Sequence, residues 1–222
     1  MNEQGQAKYI LAVDHGSTGL KTSLFSTSGK SIDFEFEPTP IDILPDGGAE
    51  QDPEEWWQAT IKTCRRLVQK KSVPVEDIVA IGVSSTFSST VAVDKNGDAL
   101  MKALTWADSR GAPYVKKVVG GTFEIEGYSL SSLLTWIPKT AGAPALSGKD
   151  DIAHALYIKH EHPEIYKKTY KFLGSKDYLN LKLTGKFASS PDSMALFWVI
   201  NIQDINNLDY DEKLIRKLGI DR

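Results

Sequence analysis

The sequence predicts an α/β domain in which a mixed β-sheet is flanked by helices, and three observations lead to this fold class. Residues 10–37 contain three strand patterns separated by short turns. An amphipathic helix pattern begins at Pro53. A further continuous apolar run, residues 78–83, is typical of a strand covered on both faces. A strand meander followed by a helix and a covered strand is typical of a mixed sheet with helices on both faces.

Length, charge and cysteine content exclude several classes of protein. The 222 residues are enough to bury a core, and the net charge of −3 provides no basic surface for nucleic acid or an anionic membrane. No apolar run approaches the roughly 18 residues that cross a bilayer, and the N-terminus lacks an apolar signal region. The only cysteine, Cys64, excludes an internal disulfide and lies on an apolar helix face, which favours a core role. The sequence therefore predicts a cytoplasmic protein.

The first three strands form the predicted meander. Residues 10–13 are apolar, Asp14 follows at the strand end, and a tight turn leads into a second strand at residues 21–25. A third strand is predicted at residues 31–37, before a loop rich in proline and glycine at residues 38–48.

The turn after the first strand carries residues suited to a nucleotide phosphate. We expect Gly16 and Gly19 to adopt positive φ and to let a ligand approach the backbone closely. The hydroxyls of Ser17 and Thr18 can hydrogen-bond phosphate oxygens. The neighbouring Asp14 carboxylate is placed to hold a hydrated Mg²⁺ ion. An ordinary hairpin with a polar turn has the same local pattern, so the turn alone leaves both interpretations open.

A capped helix follows the loop. Asp52 is a favourable N-cap, Pro53 suits the first helical position, and Glu55 completes a capping box. The helix is predicted to run to about Lys71. Its predicted buried face consists of apolar residues spaced by three or four: Trp57, Ile61, Cys64, Leu67 and Val68.

Two polar segments follow in the predicted second half of the sheet. The covered strand, predicted at residues 77–85, ends in a loop of serines and threonines at residues 84–90. In the segment 105–111, Arg110 either pairs with a carboxylate or is solvated. Because the first turn and the 84–90 loop both follow strands of one sheet, we expect a ligand cleft beside these strand ends.

The remaining elements are a hairpin, four helices and one strand. The hairpin is predicted at residues 91–104, the helices at residues 128–137, 151–162, 175–183 and 211–218, and the strand at residues 194–202. Three histidines, His154, His160 and His162, lie on or near the second of these helices. Their spacing gives no adequate set of metal ligands, and we expect them at the surface.

Four stretches together resemble the N-terminal domain of the FGGY family of carbohydrate kinases. They are VDHGST, EQDPEEWW, AIGVS and TWADSR, and SKDYL with LTG is a weaker fifth stretch. Their order and spacing match over nearly the whole chain, which makes the set specific. The resemblance implies an actin-like, ribonuclease-H-like ATPase fold. It also implies phosphoryl transfer from ATP, with Mg²⁺, to a hydroxyl of a sugar or polyol.

The resemblance implies roles for the residues that match the family's motifs. Asp14 would serve Mg²⁺ and the phosphates, and Lys21 lies where the family often has a basic residue near the transferred phosphoryl group. Gly16, Ser17 and Thr18 would bind the nucleotide phosphates. Seven positions are implied in acceptor binding: Thr86, Phe87, Ser88, Trp106, Asp108, Arg110 and Tyr128.

Residues 86–88, here called the acceptor loop, depart from the family pattern. Glycerol kinases carry glutamine-arginine-glutamate there and xylulokinases carry glutamine-methionine-histidine, whereas this chain has threonine-phenylalanine-serine. The chain as a whole resembles xylulokinases more closely, so a ketopentose such as xylulose is the expected acceptor. The expected partners are ATP and a small sugar or polyol, with a homodimer as a possible assembly and neither nucleic acid nor a membrane.

Residues 1–222 are expected to form the N-terminal domain alone. In the family, the aspartate that accepts the proton of the sugar hydroxyl follows the matching region, as does the second domain that holds adenine. On this interpretation the chain is a fragment that is inactive by itself. The alternative is a non-catalytic sugar- or nucleotide-binding module, or a pseudokinase. The tryptophan-x-aspartate-x-arginine segment argues against a chaperone-like ATPase of the same fold.

Overall fold

The structure is a computed structural model that describes residues 7–221. Its strands are β1 (Tyr9–His15), β2 (Gly19–Ser26), β3 (Ser31–Pro38), β4 (Asp42–Ile43), β5 (Ala49–Gln51), β6 (Ile78–Ser85), β7 (Val91–Val93), β8 (Ala103–Leu104), β9 (Glu124–Ile125), β10 (Tyr128–Ser129), β11 (Lys171–Leu173), β12 (Ile200–Asn201) and β13 (Asp209–Tyr210). Its helices are α1 (Pro53–Gln69), α2 (Ala112–Val119), α3 (Leu130–Thr140), α4 (Asp151–Glu161), α5 (Pro163–Lys168), α6 (Ser175–Thr184), α7 (Pro191–Met194) and α8 (Glu212–Leu218). Within these residues, every helix is too short or too polar to cross a membrane.

The largest sheet has the strand order β3-β2-β1-β6. Strands β1, β2 and β3 form an antiparallel meander, and β6 pairs with β1 in the parallel direction. The predicted mixed sheet is therefore confirmed. Helix α1 connects β5 to the β6 region and packs against β2 and β3. Because β1 and β6 run in parallel, their carboxyl ends meet at one edge of the sheet.

Helix α1 has the predicted N-cap, and its buried face matches the predicted one in part. The Asp52 carboxylate accepts a hydrogen bond from the backbone N–H of Glu54 at 2.9 Å. The predicted apolar face is confirmed in part: Leu67 is buried, and Trp57 and Cys64 pack against the hydrophobic clusters. Trp56 was not predicted on this face but is fully buried, and Val68 is 38% exposed. Two threonines, Thr60 and Thr63, are also buried, and the Thr63 hydroxyl lies 2.6 Å from that of Thr22 on β2.

Strand β6 differs from the prediction of a strand covered on both faces. Val79 and Ile81 are 56% and 45% exposed. Within residues 7–221, β6 is the last strand of the sheet order and pairs only with β1. A continuous apolar run does not distinguish an edge strand from a central one, so this error follows from the pattern itself.

The two largest hydrophobic clusters of the described residues lie beside the large sheet and among the later helices. The first lies between the large sheet, α1 and α6, and includes Leu20, Trp56 and Tyr178. The second joins α2, α3, α4 and α8, and includes Trp136 and Ile152. Cys64 packs against the first cluster, and burial raises the pKa of its thiol, in keeping with the predicted core role.

The second half confirms most predicted helices and corrects two expectations. Helices α4, α6 and α8 match the predictions, and α3 begins two residues after the predicted start. The surface position expected for His154 is wrong, because α4 is buried on most of its surface and His154 is fully buried. The strand predicted at residues 194–202 is reduced to β12, because the preceding residues continue from α7 into a 3-10 helix, Ala195–Phe197, which ends where Trp198 takes a left-handed φ of 54°.

Candidate functional site

The turn between β1 and β2, residues 15–19, is here called the phosphate turn. The Gly16 N–H donates to the carbonyl oxygen of Gly19 at 2.9 Å and closes the turn. Neither glycine has a positive φ, so the positive φ predicted for them is wrong. A Cβ atom on Gly19 would lie 2.2 Å from Phe36 Cζ and 2.7 Å from the Glu37 carbonyl oxygen. Gly19 is therefore required by the close approach of β3.

Asp14 and Ser84 are the next-to-last residues of the adjacent parallel strands β1 and β6 and lie side by side in the register. The Ser84 hydroxyl donates to Asp14 Oδ1 at 2.7 Å. One residue further along, the backbone N–H of Thr86 donates to the carbonyl oxygen of His15 at 2.8 Å. The Asp14 side chain is exposed and thus accessible to a cation. The phosphate turn and the 84–90 loop meet at one sheet edge, as the sequence predicted.

Lys21 lies directly opposite Asp14 in the antiparallel β1–β2 pair. Such opposite residues point to the same face of a sheet, with Cβ atoms about 4.5–5.5 Å apart. The Lys21 side chain is exposed. A cationic and an anionic side chain therefore share one open face beside the phosphate turn.

The ring of His15, the first residue of the turn, packs against the ring of Trp56 in the protein interior. Both side chains are fully buried, and their ring centroids lie 4.4 Å apart. Burial lowers the pKa of His15 to about 4 against the opposing influence of Asp14, so the ring is neutral near pH 7. The phosphate turn thus rests on an uncharged aromatic layer.

The buried side chain of Gln51 holds the phosphate turn from the β5 side. Its amide nitrogen Nε2 donates to the Ser17 carbonyl oxygen at 3.2 Å and to the Thr39 carbonyl oxygen at 2.9 Å. A primary amide carries two N–H groups, so it satisfies both carbonyl groups at once. Gln51 therefore fixes the backbone of the turn.

Trp106 connects the TWADSR segment to the same turn. Its indole Nε1–H donates to Ser17 Oγ at 3.0 Å. The predicted phosphate residue Ser17 and the predicted acceptor residue Trp106 are thus in direct contact.

Arg110 and Asp108 form a largely buried ion pair, which decides between the two interpretations of Arg110. Arg110 Nη2 lies 2.6 Å from both Asp108 Oδ2 and Glu50 Oε1. Asp108 Oδ2 also accepts the backbone N–H of Ala49 at 3.0 Å. Burial opposes the charge on Arg110, but its hydrogen bonds to Asp108 and Glu50 outweigh this and raise its pKa. The guanidinium also lies 4.5 Å above the ring of Tyr157.

The three residues of the acceptor loop are placed differently from one another. Phe87 is 71% exposed. Ser88 is buried with a left-handed φ of 53°, and its hydroxyl donates to the Lys149 carbonyl oxygen at 2.7 Å. Thr86 is half-buried, with its hydroxyl 3.4 Å from that of Ser89. Phe87 is therefore the side chain of this loop that is most open to a ligand.

Tyr128 lies on β10 and packs against the second hydrophobic cluster. Its hydroxyl donates to the Pro144 carbonyl oxygen at 3.0 Å. The contacts of Tyr128 are therefore with the helical half of the chain.

The surroundings of Asp14 fit a magnesium ion that is shared with a nucleotide. Residues 7–221 contain no group of three or more acidic, histidine or cysteine side chains that could hold a metal by themselves. Mg²⁺ commonly uses one or two carboxylates and takes its other ligands from phosphate and water. The single exposed carboxylate of Asp14 beside the phosphate turn is compatible with that mode of binding.

Sequence reasoning missed several residues that shape this site. Ser84 could have been found, because it ends the strand expected beside that of Asp14. Gln51 and Glu50 lie inside the EQDPEEWW stretch. Nothing in their spacing indicates that Gln51 binds the Ser17 backbone or that Glu50 binds Arg110. Tyr157 carries no sequence signal that places it under Arg110.

Comparisons with known proteins agree with this geometry. The family model described as the FGGY family of carbohydrate kinases, N-terminal domain, matches residues 9–222. A gluconokinase of Bacillus subtilis (strain 168) is 30% identical over 212 residues, which are 96% of this chain and 38% of that protein. A xylulose kinase of Escherichia coli (strain K12) is 25% identical over 222 residues, covering 96% of this chain and 40% of that protein.

The fold is also similar to that of solved kinase structures. The crystal structure of gluconate kinase from Lactobacillus acidophilus superimposes with a TM-score of 0.81 and 25% sequence identity, over 97% of this chain and 40% of that one. The chain thus spans about two fifths of the length of these relatives. Because the family model matches almost its whole length, the chain belongs to the FGGY family of carbohydrate kinases and corresponds to their N-terminal domain.

Proposed function

We propose that residues 1–222 form the N-terminal, acceptor-binding half of an ATP-dependent carbohydrate kinase that phosphorylates a hydroxyl of a sugar or polyol. The observation that supports this most directly is the hydrogen bond from Trp106 to Ser17. It brings the phosphate turn and the TWADSR segment together, as transfer between a nucleotide and an acceptor requires.

The phosphate turn would bind the transferred group and its metal. Ser17 Oγ accepts a hydrogen bond from Trp106, so its own proton is free to be donated to a phosphate oxygen. Thr18 is exposed beside it. The Gly16 N–H is already engaged with Gly19, which leaves Gly16 a role in shaping the turn. Asp14 would orient Mg²⁺, which neutralises phosphate charge when bound.

Lys21 would supply a second positive charge on the same face. Phosphoryl transfer is assisted mainly by positioning and by stabilising charge on the transferred group. The location of Lys21 opposite Asp14 supports this role.

For the acceptor we propose a neutral ketopentose such as xylulose. Arg110 is paired with Asp108 and Glu50, so its charge is already compensated and is poorly suited to bind a carboxylate of the acceptor. Gluconate is the second candidate, because the relative that is 30% identical is a gluconokinase. Phe87 offers an apolar wall, which discriminates weakly between sugars.

We further propose that a second domain follows residue 222 and supplies the adenine site and the proton-accepting carboxylate. The relatives continue well beyond the matched region, which supports this proposal. Residues 1–222 alone would then bind ligands but not turn them over, because cleft closure needs both domains. A cytoplasmic location and a homodimer remain part of the same proposal.

The test is an ADP-release screen of the full-length protein, meaning residues 1–222 with the proposed second domain. The panel contains ketopentoses, polyols and sugar acids, and residues 1–222 alone serve as the control. We expect acceptor-dependent ADP release from the full-length protein with a ketopentose and none from the control. Sugar binding by calorimetry without ADP release from any acceptor would instead support the non-catalytic module.

A further inference from the structure

A buried chain of hydrogen-bonding groups lies directly behind the TWADSR segment. The Thr90 hydroxyl lies 2.7 Å from Asp151 Oδ1 and 2.9 Å from His154 Nδ1. The other ring nitrogen of His154 lies 3.4 Å from the backbone carbonyl oxygen of Asp108. All four residues are buried, so a polar group left without a partner in this hydrogen-bond network would cost free energy.

With Asp151 ionised and His154 neutral, this hydrogen-bond network has one proton too few to satisfy all of its groups. The Thr90 hydroxyl has a single proton and can donate to only one neighbour. If it donates to an ionised Asp151, His154 Nδ1 must donate to Thr90. A neutral imidazole then has no proton on Nε2. Because Nε2 and the Asp108 carbonyl oxygen would both be hydrogen-bond acceptors, the contact between them would be repulsive.

One additional proton satisfies every group. With Asp151 protonated, its hydroxyl donates to Thr90, Thr90 donates to His154 Nδ1, and His154 Nε2–H donates to the Asp108 carbonyl oxygen. A doubly protonated His154 beside an ionised Asp151 has the same proton count. In both arrangements the Asp151–His154 pair carries no net charge, which is the favourable state in a buried site.

We infer that Asp151, Thr90 and His154 retain one shared proton and act as positioning residues that hold the acceptor-binding pair Asp108 and Arg110. The effect on acceptor binding rests on the proposed kinase function, whereas the shared proton does not. This hydrogen-bond network joins three separate segments: the end of the 84–90 loop, the TWADSR segment and the start of α4. The Ser88 hydroxyl adds a further bond from that loop to Lys149.

Burial and the charged groups around this network favour a protonated Asp151 beside a neutral His154. Burial is the main cause that raises the pKa of Asp151 to about 7, against the lowering effect of its hydrogen bond with Thr90; the charges of Asp150 and of Asp177 on α6 raise it further. Burial and the charge of Arg110 lower the pKa of His154 to about 4, against the opposing influence of Asp108. The preferred arrangement therefore places the proton on Asp151.

The first test reads the ring protons of His154 directly and needs no enzymatic activity. In residues 1–222 labelled with ¹⁵N, long-range ¹H–¹⁵N spectra near pH 6 distinguish the histidine tautomers, and His154→Gln identifies the signals. We expect a proton on Nε2. A neutral ring protonated only on Nδ1 would overturn the inference, because that pattern belongs to an ionised Asp151 with no shared proton.

The second test measures positioning in the full-length protein with its best acceptor. Thr90→Val keeps the shape but removes the hydroxyl, and should raise the acceptor KM about tenfold, with the ATP KM within about twofold. Thr90→Ser restores the hydroxyl and should return the acceptor KM to that of the wild type. Asp151→Asn provides an amide donor at every pH and should abolish the rise in acceptor KM expected for the wild type above about pH 7.

These outcomes separate the inference from the proposed function. If the full-length protein has no kinase activity, the proposed function fails while the His154 spectra still decide whether a proton is shared. If the protein is an active kinase but Thr90→Val changes the ATP and acceptor KM equally, the positioning role is wrong. Equal loss of activity in Thr90→Val and Thr90→Ser would also overturn it, since the hydroxyl would then have no part.

Discussion

The indole N–H of Trp106 donates to the hydroxyl of Ser17 over 3.0 Å, across 89 residues of sequence. Trp106 belongs to the TWADSR segment and Ser17 to the phosphate turn, so a single hydrogen bond joins the two parts of the site. Trp106 is 46% exposed, which limits the contribution of this contact to folding. Its main effect should therefore be on the relative position of donor and acceptor.

Trp106→Phe should lower kcat of the full-length protein about five- to tenfold, because the aromatic ring remains but the hydrogen bond to Ser17 is lost. The free energy of unfolding of residues 1–222 should change by less than about 0.5 kcal/mol. ADP-release kinetics and urea unfolding measure the two quantities.

Ser17→Ala provides the control for this prediction. It removes the same hydrogen bond together with the proposed phosphate contact, so its own effect should be larger. The double variant should lose less activity than the product of the single losses, since the shared contact can be lost only once. Fully independent effects would show that Trp106 does not act through Ser17.

Asp14→Ala should lower kcat of the full-length protein by about two orders of magnitude or more. The expected reason is the loss of the carboxylate that orients Mg²⁺ at the transferred phosphoryl group. Because Asp14 is exposed, residues 1–222 should retain their unfolding free energy. Kinetics at saturating Mg²⁺ and ATP measure the effect.

Two variants show whether the effect of Asp14→Ala is specific. Glu164→Ala removes an exposed carboxylate on α5 and should leave kcat unchanged. Ser84→Ala removes the hydroxyl that donates to Asp14 and should cause a smaller loss than Asp14→Ala, because the carboxylate remains. Near-normal turnover by Asp14→Ala would remove Asp14 from the proposed metal site.

Features that depend on the order of strands could be predicted from the sequence. Asp14 follows one apolar run and Ser84 ends another, and parallel pairing of the two strands brings them together. The same reasoning placed the phosphate turn beside the 84–90 loop, and the Thr86 N–H does donate to the His15 carbonyl oxygen. Local chemistry and strand direction are sufficient for this kind of inference.

Features that depend on tertiary packing could not be predicted. His154 is fully buried because its ring contacts Thr90 and the Asp108 backbone, and both of these segments are distant from α4 in the sequence. Trp56 and Trp57 are equally apolar, and the sheet decides that Trp56 is the fully buried one. The role of Gly19 also depends on tertiary packing, because the nearby atoms belong to β3.

Gly19→Ala should destabilise residues 1–222 by about 1–3 kcal/mol, because the new Cβ would lie 2.7 Å from the backbone carbonyl oxygen of Glu37. Gly82→Ala on β6 is the matched control, since open space surrounds Gly82 and its φ is not positive. It should be neutral or slightly stabilising, because alanine loses less entropy than glycine on folding. Urea unfolding of both variants tests this, and equal destabilisation would contradict the packing argument.

Asp151 gives a prediction for the pH dependence of stability. Burial raises the pKa of its carboxyl group from the ordinary 3.8 to about 7. The folded chain therefore binds this proton more tightly than the unfolded chain does. The resulting stabilisation is complete below about pH 4 and is lost as the pH rises through about 7.

Asp151→Asn replaces the titrating carboxyl with an amide that stays neutral and can still donate to Thr90. The measured quantity is the unfolding free energy of the variant minus that of the wild type. This difference should be larger near pH 8 than near pH 4 by on the order of 2–4 kcal/mol. Groups that titrate in both chains cancel in this difference. Urea unfolding of residues 1–222 at the two pH values measures it, with the exposed Asp98→Asn as a control that should change little. A difference that stays constant with pH would show that Asp151 is ionised in the folded chain throughout this range, and that it holds no proton for Thr90 and His154.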